Sequence, residues 1–164
     1  MVKKNLLNQK KTTVSTADNR QFLVYCDGGA RSNPGPAAVG FLVKNNQGKV
    51  IVRKGKYIGK ATNNVAEYKA VEEALNWLVD NLSSISFPPA KVQFYLDSRL
   101  VVNQLNGKFR VKNSNLQLLV IKIKGLENQL QPAVFYSYIP RQKNKEADSL
   151  VNQALDKQVL KHSG

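Results

Sequence analysis

A strand, a turn and a second apolar run follow one another between residues 22 and 43, and they constrain the fold of this chain most strongly. Apolar residues alternate with other residues from 22 to 27, which is the period of a β-strand. Residues 33–36 read Asn-Pro-Gly-Pro and are typical of a turn, and the apolar run 37–43 follows. The sequence therefore predicts an antiparallel hairpin whose first strand ends at Asp27.

The glycine pair after Asp27 has other interpretations. A Gly-rich loop after a strand can hold a phosphate, but such a loop needs a helix next, and here two prolines follow without a Gly-Lys-Ser/Thr sequence. Asp27 taken alone is most simply an acid that caps a turn. A function for Asp27 therefore depends on the rest of the chain.

The charge of the chain points to a polyanionic partner. Lys and Arg number 25 against 11 Asp and Glu, which gives a formal net charge of +14. Nucleic acid is the first candidate partner, and a solvated basic surface is the alternative. We interpret residues 1–20 as a disordered basic arm that adds weak, salt-sensitive attraction to phosphates, residues 21–160 as one domain, and residues 161–164 as a tail.

Several classes of protein are excluded by what the chain lacks. One cysteine permits no intramolecular disulfide, and one histidine, His162, lies near the end of the chain, so catalysis would depend on carboxylates. No apolar run approaches the roughly 18 residues of a membrane span, and the first residues do not resemble a signal peptide. We expect a cytoplasmic monomer with no membrane association and no protein partner.

Strands and helices alternate after the hairpin. We predict strands over residues 49–59, 91–96 and 133–139, and helices over residues 65–82, 100–105, 113–130 and 145–160. Asn63 or Asn64 is expected to cap the first helix. An opening meander followed by this alternation predicts a mixed sheet with right-handed crossovers.

Four acids occupy comparable places: Asp27 and Asp97 at predicted strand ends, Glu67 and Asp148 in predicted first turns of helices. Local alternatives are a helix-dipole role for Glu67 and an N-cap role for Asp97. If the acids converge, two carboxylates about 5 Å apart repel by about 3 kcal/mol at an effective dielectric near 20. Mg²⁺ is the usual occupant of such an open oxygen site, and two ions about 3.5 to 4 Å apart would clamp the water and leaving oxygen of a phosphoryl transfer.

Four motifs resemble, in order and spacing, the type 1 ribonuclease H family over about residues 22–155. They are YCDGGARSNPGP, TNNVAEY, FYLDSRLVVNQLNG and IPRQKNKEADSLVNQAL. The resemblance implies an α/β, ribonuclease H-like fold, with a five-stranded mixed sheet in the order 3-2-1-4-5, its first three strands antiparallel, and helices on both faces. It implies endonucleolytic hydrolysis of the RNA strand of an RNA/DNA hybrid, with Asp27, Glu67, Asp97 and Asp148 as catalytic ligands of two Mg²⁺ or Mn²⁺ ions.

Further residues correspond to substrate contacts of that family. The set that would read 2′-hydroxyls and minor-groove edges of the hybrid is Asn33, Asn63 and Asn64. The set that would hold a phosphate of the DNA strand is Lys60, Thr62 and Asn113, which are otherwise ordinary surface and capping residues. Gly28 belongs to the bend that would let the hybrid backbone approach Asp27.

The chain departs from the family in three ways, the third being that its segment before residue 22 does not resemble a hybrid-binding domain. The loop before the last helix carries no histidine but an Ile-Pro-Arg sequence, so we hypothesise that Arg141 is a catalytic cation near the scissile phosphate. The basic protrusion of larger members is missing, and residues 107–112 are its only substitute, so weaker DNA-strand binding is expected.

Two alternative functions stay open. One is a nuclease that also cuts duplex RNA. The other is a catalytically silent hybrid-binding protein, and the four intact acids argue against this second alternative.

Overall fold

The computed structural model describes residues 20–164, so the predicted arm lies outside the described residues except for Arg20. Within that range the chain forms one β-sheet with α-helices packed against it. The elements are β1 (Gln21–Ala30), β2 (Gly35–Lys44), β3 (Val50–Ala61), α1 (Asn63–Asn81), β4 (Lys91–Leu96), α2 (Arg99–Leu105), α3 (Ser114–Asn128), β5 (Ala133–Tyr138) and α4 (Lys145–His162). None of the helices in this range is long and apolar enough to cross a membrane.

The sheet has five strands in the order β3-β2-β1-β4-β5, which confirms the predicted topology. The first three strands form an antiparallel meander. β4 runs parallel to β1, and β5 runs parallel to β4, because helical crossovers return the chain to the same end of the sheet.

Helices cover both faces of the sheet. On one face, alternate β1 residues such as Val24 and Cys26 lie in a large apolar core together with Tyr68 and Leu75 of α1. On the other face, α4 packs against the meander through a smaller apolar cluster of Ala38, Val151 and Leu155. The four predicted acids therefore come from the sheet itself and from helices on both of its faces.

The structure corrects three predictions about element ends. β1 does not end at Asp27, because its pairing with β2 continues to Ala30. α1 is capped by neither Asn63 nor Asn64, since the Thr62 hydroxyl accepts the Val65 N–H at 3.2 Å. The helix consequently begins at Asn63, and Glu67 lies beyond its first turn.

Candidate active site

Three carboxylates meet at one place in the structure. Asp27, Glu67 and Asp97 each offer an oxygen, and these atoms all lie within 4.8 Å of one another. Asp27 comes from β1, Glu67 comes from α1, and Asp97 follows β4 directly. Three acids distant in sequence are thus brought together, as the comparison of their local positions predicted.

Asp97 does not cap the helix that follows it. The cap of α2 is Ser98, whose hydroxyl accepts the Val101 N–H at 3.2 Å. Ser98 is also hydrogen-bonded to Glu67. The Asp97 carboxylate is therefore left for the cluster, while its neighbour performs the capping and orients a second acid.

Asp148 stands beside the three carboxylates rather than among them. It lies in the first turn of α4, it is exposed, and it lines the same cleft as the triad. Its charge is close enough to raise the pKa of Asp27. The structure therefore arranges the four predicted acids as a compact triad with a fourth, more accessible carboxylate at its side.

Close backbone packing brings Glu67 to Asp27. Gly28 is buried, and a Cβ built on it would lie 2.2 Å from the carbonyl carbon and oxygen of Ala66 and 2.6 Å from the Glu67 nitrogen. No side chain fits there, so α1 approaches β1 at the distance of backbone contact. Gly28 also donates its N–H to Asp27 Oδ1 at 2.9 Å. This glycine accordingly positions two of the three acids.

A pair of glycines in β2 and β3 brings α4 onto the meander. Gly40 pairs with Asp27 on one side and with Gly55 on the other. A Cβ on Gly40 would lie 2.6 Å from the Ala147 carbonyl oxygen, and a Cβ on Gly55 would lie 2.6 Å from that of Leu150. The two glycines therefore allow the first turns of α4, which carry Asp148, to pack directly against the sheet. They do so at the row of paired residues formed by Asp27, Gly40 and Gly55.

The surroundings of the cluster disfavour the charged forms of two of its acids. Burial, followed by the charges of Asp97, Asp148 and Glu67, raises the pKa of Asp27 to about 8, although the Gly28 N–H acts in the opposite direction. Burial also raises the pKa of Glu67 to about 7, with the Ser98 hydrogen bond and the charge of Arg141 opposing that rise. Such shifts are expected where a cation is needed to keep the acids ionised.

The acids form the floor of a cleft of about 410 Å³. Arg141 lies in a short 3₁₀ turn before α4 and lines this cleft, as does Asn63.

Outside the cleft, several acids of the described chain are paired with cations. The pairs are Glu73 with Lys56, Glu127 with Lys124, and Glu146 with Lys44 and Arg53. Asp27, Glu67, Asp97 and Asp148 take part in none of the ion pairs of residues 20–164.

Two predicted substrate-contact residues are joined to each other. Asn33 Oδ1 accepts the Asn63 N–H at 3.0 Å, and Asn63 Oδ1 accepts the Ala30 N–H at 2.9 Å. This clasp fastens the loop after β1 to the start of α1, where Asn64 is also exposed. Since both Oδ1 atoms are engaged, the amide Nδ2 groups of Asn33 and Asn63 are the groups available to a ligand.

The predicted phosphate pocket is less evident in the structure. Thr62 caps α1, and Asn113 caps α3 by accepting the N–H groups of Asn115 and Leu116. Lys60 lies exposed near the end of β3, opposite Pro36. Over residues 20–164 these three do not line the cleft. The capping interpretation therefore accounts for the structural role of Thr62 and Asn113.

Asn144 is a residue of the site that the sequence did not reveal. It lies between the Arg141 turn and α4, it is buried, and its amide contacts both β1 and Asp97. In the sequence it is one polar residue of a polar loop. Only the fold shows that this position faces the acids.

The chain matches a family described as "Reverse transcriptase-like" over residues 25–154. Among curated proteins, bifunctional protein Rv2228c of Mycobacterium tuberculosis is 34% identical over 137 residues, which cover 83% of this chain and 36% of that protein. Ribonuclease HI of Halobacterium salinarum is 36% identical over 132 residues, which cover 80% of this chain and 63% of that protein. The chain thus spans less than two thirds of the length of either relative.

A solved structure matches over nearly its whole length. It is LC11-RNase H1 in complex with RNA/DNA hybrid, which has 37% sequence identity and a TM-score of 0.77. The match covers 84% of this chain and 99% of that chain.

Proposed function

Because the chain belongs to the type 1 ribonuclease H family, we propose that it is an endonuclease that hydrolyses the RNA strand of RNA/DNA hybrids. The observation that carries the proposal is the convergence of Asp27, Glu67 and Asp97 within 4.8 Å. A relative of 37% identity that was solved with an RNA/DNA hybrid supports the substrate.

The residues at the cluster fit divalent metal ions. The donor set is made of carboxylate oxygens, which Mg²⁺ and Mn²⁺ prefer, and burial, followed by neighbouring negative charge, raises the pKa values of Asp27 and Glu67. Asp27, Glu67, Asp97 and Asp148 would hold two such ions. When bound, the ions would supply charge neutralisation, activation of a water and stabilisation of the leaving oxygen.

The protein's own residues would orient the scissile phosphate. Arg141, which lines the same cleft, would donate to a phosphate oxygen as charge develops there, while the acids would hold the cations that offset their repulsion of the phosphate. A guanidinium suits this task because it stays charged and presents several donors in one plane. The products would carry 5′-phosphate and 3′-hydroxyl ends.

The clasp at the start of α1 would recognise the RNA strand. The free Nδ2 groups of Asn33 and Asn63 can donate to 2′-hydroxyls, and exposed Asn64 lies beside them. Gly28 would act indirectly, because its close contact with the Ala66 backbone holds Glu67 beside Asp27, where the hybrid backbone would approach. A DNA strand would lack these contacts, which would direct cleavage to RNA.

The rest of the hybrid would rest on basic surface. The connector between α2 and α3 exposes Phe109 between Lys108 and Arg110. Its backbone is held from both sides, since the Gln104 side chain donates to the Arg110 carbonyl and the Gln117 side chain donates to that of Val111. An aromatic ring among cations suits nucleic acid, and the DNA phosphate would be held by Lys60, Thr62 and Asn113.

Cleavage of a panel of labelled duplexes tests the proposal. We expect the protein to cut an RNA/DNA hybrid with Mg²⁺ or Mn²⁺ and to leave single-stranded RNA and duplex DNA intact. Asp27→Asn should abolish cleavage, whereas Asp80→Asn, which alters an exposed acid at the far end of α1, should retain it.

Two other results would each point elsewhere. No hybrid cleavage with either metal would contradict the proposal, and tight hybrid binding without cleavage would indicate a catalytically silent binding protein. Cleavage of duplex RNA as well would extend the substrate range, because 2′-hydroxyl contacts to one strand serve both duplexes.

A further inference from the structure

Asn144 is a buried polar residue at the centre of the acidic site. The residue is 1% exposed, and the other buried polar residue of the described chain is Gln93, within β4. Buried amides are costly unless hydrogen-bonded, so the partners of Asn144 show what its burial achieves.

The Asn144 amide connects two elements that carry acids. Its Nδ2 donates to the Cys26 carbonyl oxygen at 2.8 Å, directly before Asp27 in β1, and to Asp97 Oδ2 at 3.2 Å. An amide nitrogen carries two hydrogens, and both acceptors can only accept, so the orientation of the amide is determined. Asp97, which follows β4, is thereby tied to β1.

The backbone of Asn144 adds a third connection. Its carbonyl oxygen accepts the Asp148 N–H at 3.1 Å, and its N–H donates to the Arg141 carbonyl oxygen at 3.0 Å. One residue thus contacts the strand before Asp27, the Asp97 carboxylate, the backbone of Asp148 and the turn that presents Arg141.

The position is not optimised for packing. Asn144 Oδ1 is buried and has no hydrogen-bond partner among residues 20–164. An apolar side chain of similar size would avoid that unpaired acceptor. The chain instead keeps the amide, whose two donated bonds both serve the acidic site.

We propose that Asn144 is a positioning residue that holds Asp97 against β1, so that Asp27, Glu67 and Asp97 are spaced for a shared divalent cation. With Oδ2 of Asp97 engaged by the amide, Oδ1 remains for the cation. Partners of this kind, which orient ligands without binding the metal, commonly change metal affinity or activity by 10- to 100-fold. The inference rests on the proposed function for its catalytic consequence but not for its effect on metal binding.

Asn144→Ala tests the proposal, with Gln93→Ala as the matched control. Gln93 is also a buried amide, and its Nε2 donates to Ser137 Oγ at 2.9 Å, inside the sheet and away from the acids. Mn²⁺ affinity is measured by calorimetry on the full chain without nucleic acid, together with Tm, kcat and KM for the hybrid.

We expect Asn144→Ala to weaken Mn²⁺ binding and to lower kcat by about 10- to 100-fold, with KM for the hybrid within about threefold. Excess Mn²⁺ should restore part of kcat. Gln93→Ala should lower Tm but keep the parental Mn²⁺ affinity. If Asn144→Ala does not fold, Asn144→Leu, an apolar side chain of similar size that donates no bond, provides the same comparison.

Parental Mn²⁺ affinity in the folded Asn144 variant would overturn the proposal, as would an equal loss of affinity in Gln93→Ala. If the parent protein cleaves no hybrid, the proposed function fails, while the Mn²⁺ measurement still decides the role of Asn144.

Discussion

Gly28 in β1 lies against the backbone of Ala66 in α1, so closely that a Cβ on Gly28 would be 2.2 Å from the Ala66 carbonyl. This contact places Glu67, the next residue of α1, beside Asp27, the preceding residue of β1. The two acids are therefore brought together by the absence of a side chain. Their distance depends on glycine at this position.

Gly28→Ala should separate α1 from β1. A methyl group cannot be accommodated by rigid backbone, so we expect a destabilisation of about 1–3 kcal/mol or more and a loss of hybrid cleavage that exceeds the loss of folded protein. Thermal melting and kcat measure the two effects. The control is Gly125→Ala, at an open site in α3, where a stabilisation of up to about 1 kcal/mol is expected. Parental kcat in folded Gly28→Ala would contradict this role.

Asp27→Asn should stabilise the metal-free protein at alkaline pH. The folded-state pKa of Asp27, about 8, is above its ordinary value, so the folded protein binds more protons than the unfolded chain between about pH 4 and pH 8. Stability from this group is therefore present at low pH and lost as the pH rises through 8.

In thermal melts with chelator, we expect Asp27→Asn to exceed the parent Tm by about 5 °C or more near pH 9, and by almost nothing near pH 4. Asp80→Asn is the control, because Asp80 is an exposed residue outside the cluster. A difference between parent and Asp27→Asn that does not depend on pH would contradict the raised pKa.

Divalent ions should reverse the order of the two Tm values, so that the parent protein becomes more stable than Asp27→Asn. A ligand that binds only the folded state stabilises it by about 2.7 kcal/mol at about 100 times its Kd, so Mg²⁺ or Mn²⁺ should raise the parent Tm and leave Asp27→Asn nearly unchanged. Binding should release protons near pH 7, because the cation favours the ionised forms of Asp27 and Glu67. Calorimetry in two buffers of different ionisation enthalpy measures the release. An equal rise of Tm in Asp27→Asn would locate the ions elsewhere.

The strands and helices could be predicted from the sequence because their signals are local. The alternation of residues 22–27, the turn residues and the helical spacing each report their own element, and the strand order followed from the family resemblance. Element ends were less predictable, because partners decide them. β1 continues past Asp27 only because β2 pairs with it as far as Ala30.

The acids of the site could also be predicted, since each stands within a recognisable motif. The supporting residues could not. Gly40 and Gly55 matter because α4 crosses them, and Asn144 matters because Asp97 and β1 face it. These contacts join segments far apart in the chain, and no local pattern reports them.

Asn63→Ala should weaken recognition of the RNA strand. The variant loses the bond to the Ala30 N–H and the free Nδ2, so we expect KM for the hybrid to rise about tenfold, equivalent to about 1.4 kcal/mol, with a smaller change in kcat. Asn128→Ala, at the exposed end of α3, is the control. Hybrids with a single 2′-deoxy substitution in the RNA strand locate the contact. When the substituted nucleotide is the one that Asn63 contacts, parent and variant should have the same KM. A difference that persists at every substituted position would contradict 2′-hydroxyl recognition by Asn63.

Arg141→Ala should lower turnover more than binding. The guanidinium lines the acidic cleft and is close enough to lower the pKa of Glu67, so its charge acts at the place where the phosphate would be cut. We expect kcat to fall about 100-fold, as for removal of a donor that stabilises developing charge, with KM changed by less than about threefold. Arg141→Lys should recover part of kcat, because it restores the charge without the planar pair of donors. Arg53→Ala is the matched control, since Arg53 is an exposed arginine paired with Glu146. If Arg141→Ala keeps the parental kcat, the loop arginine is not part of the catalytic machinery.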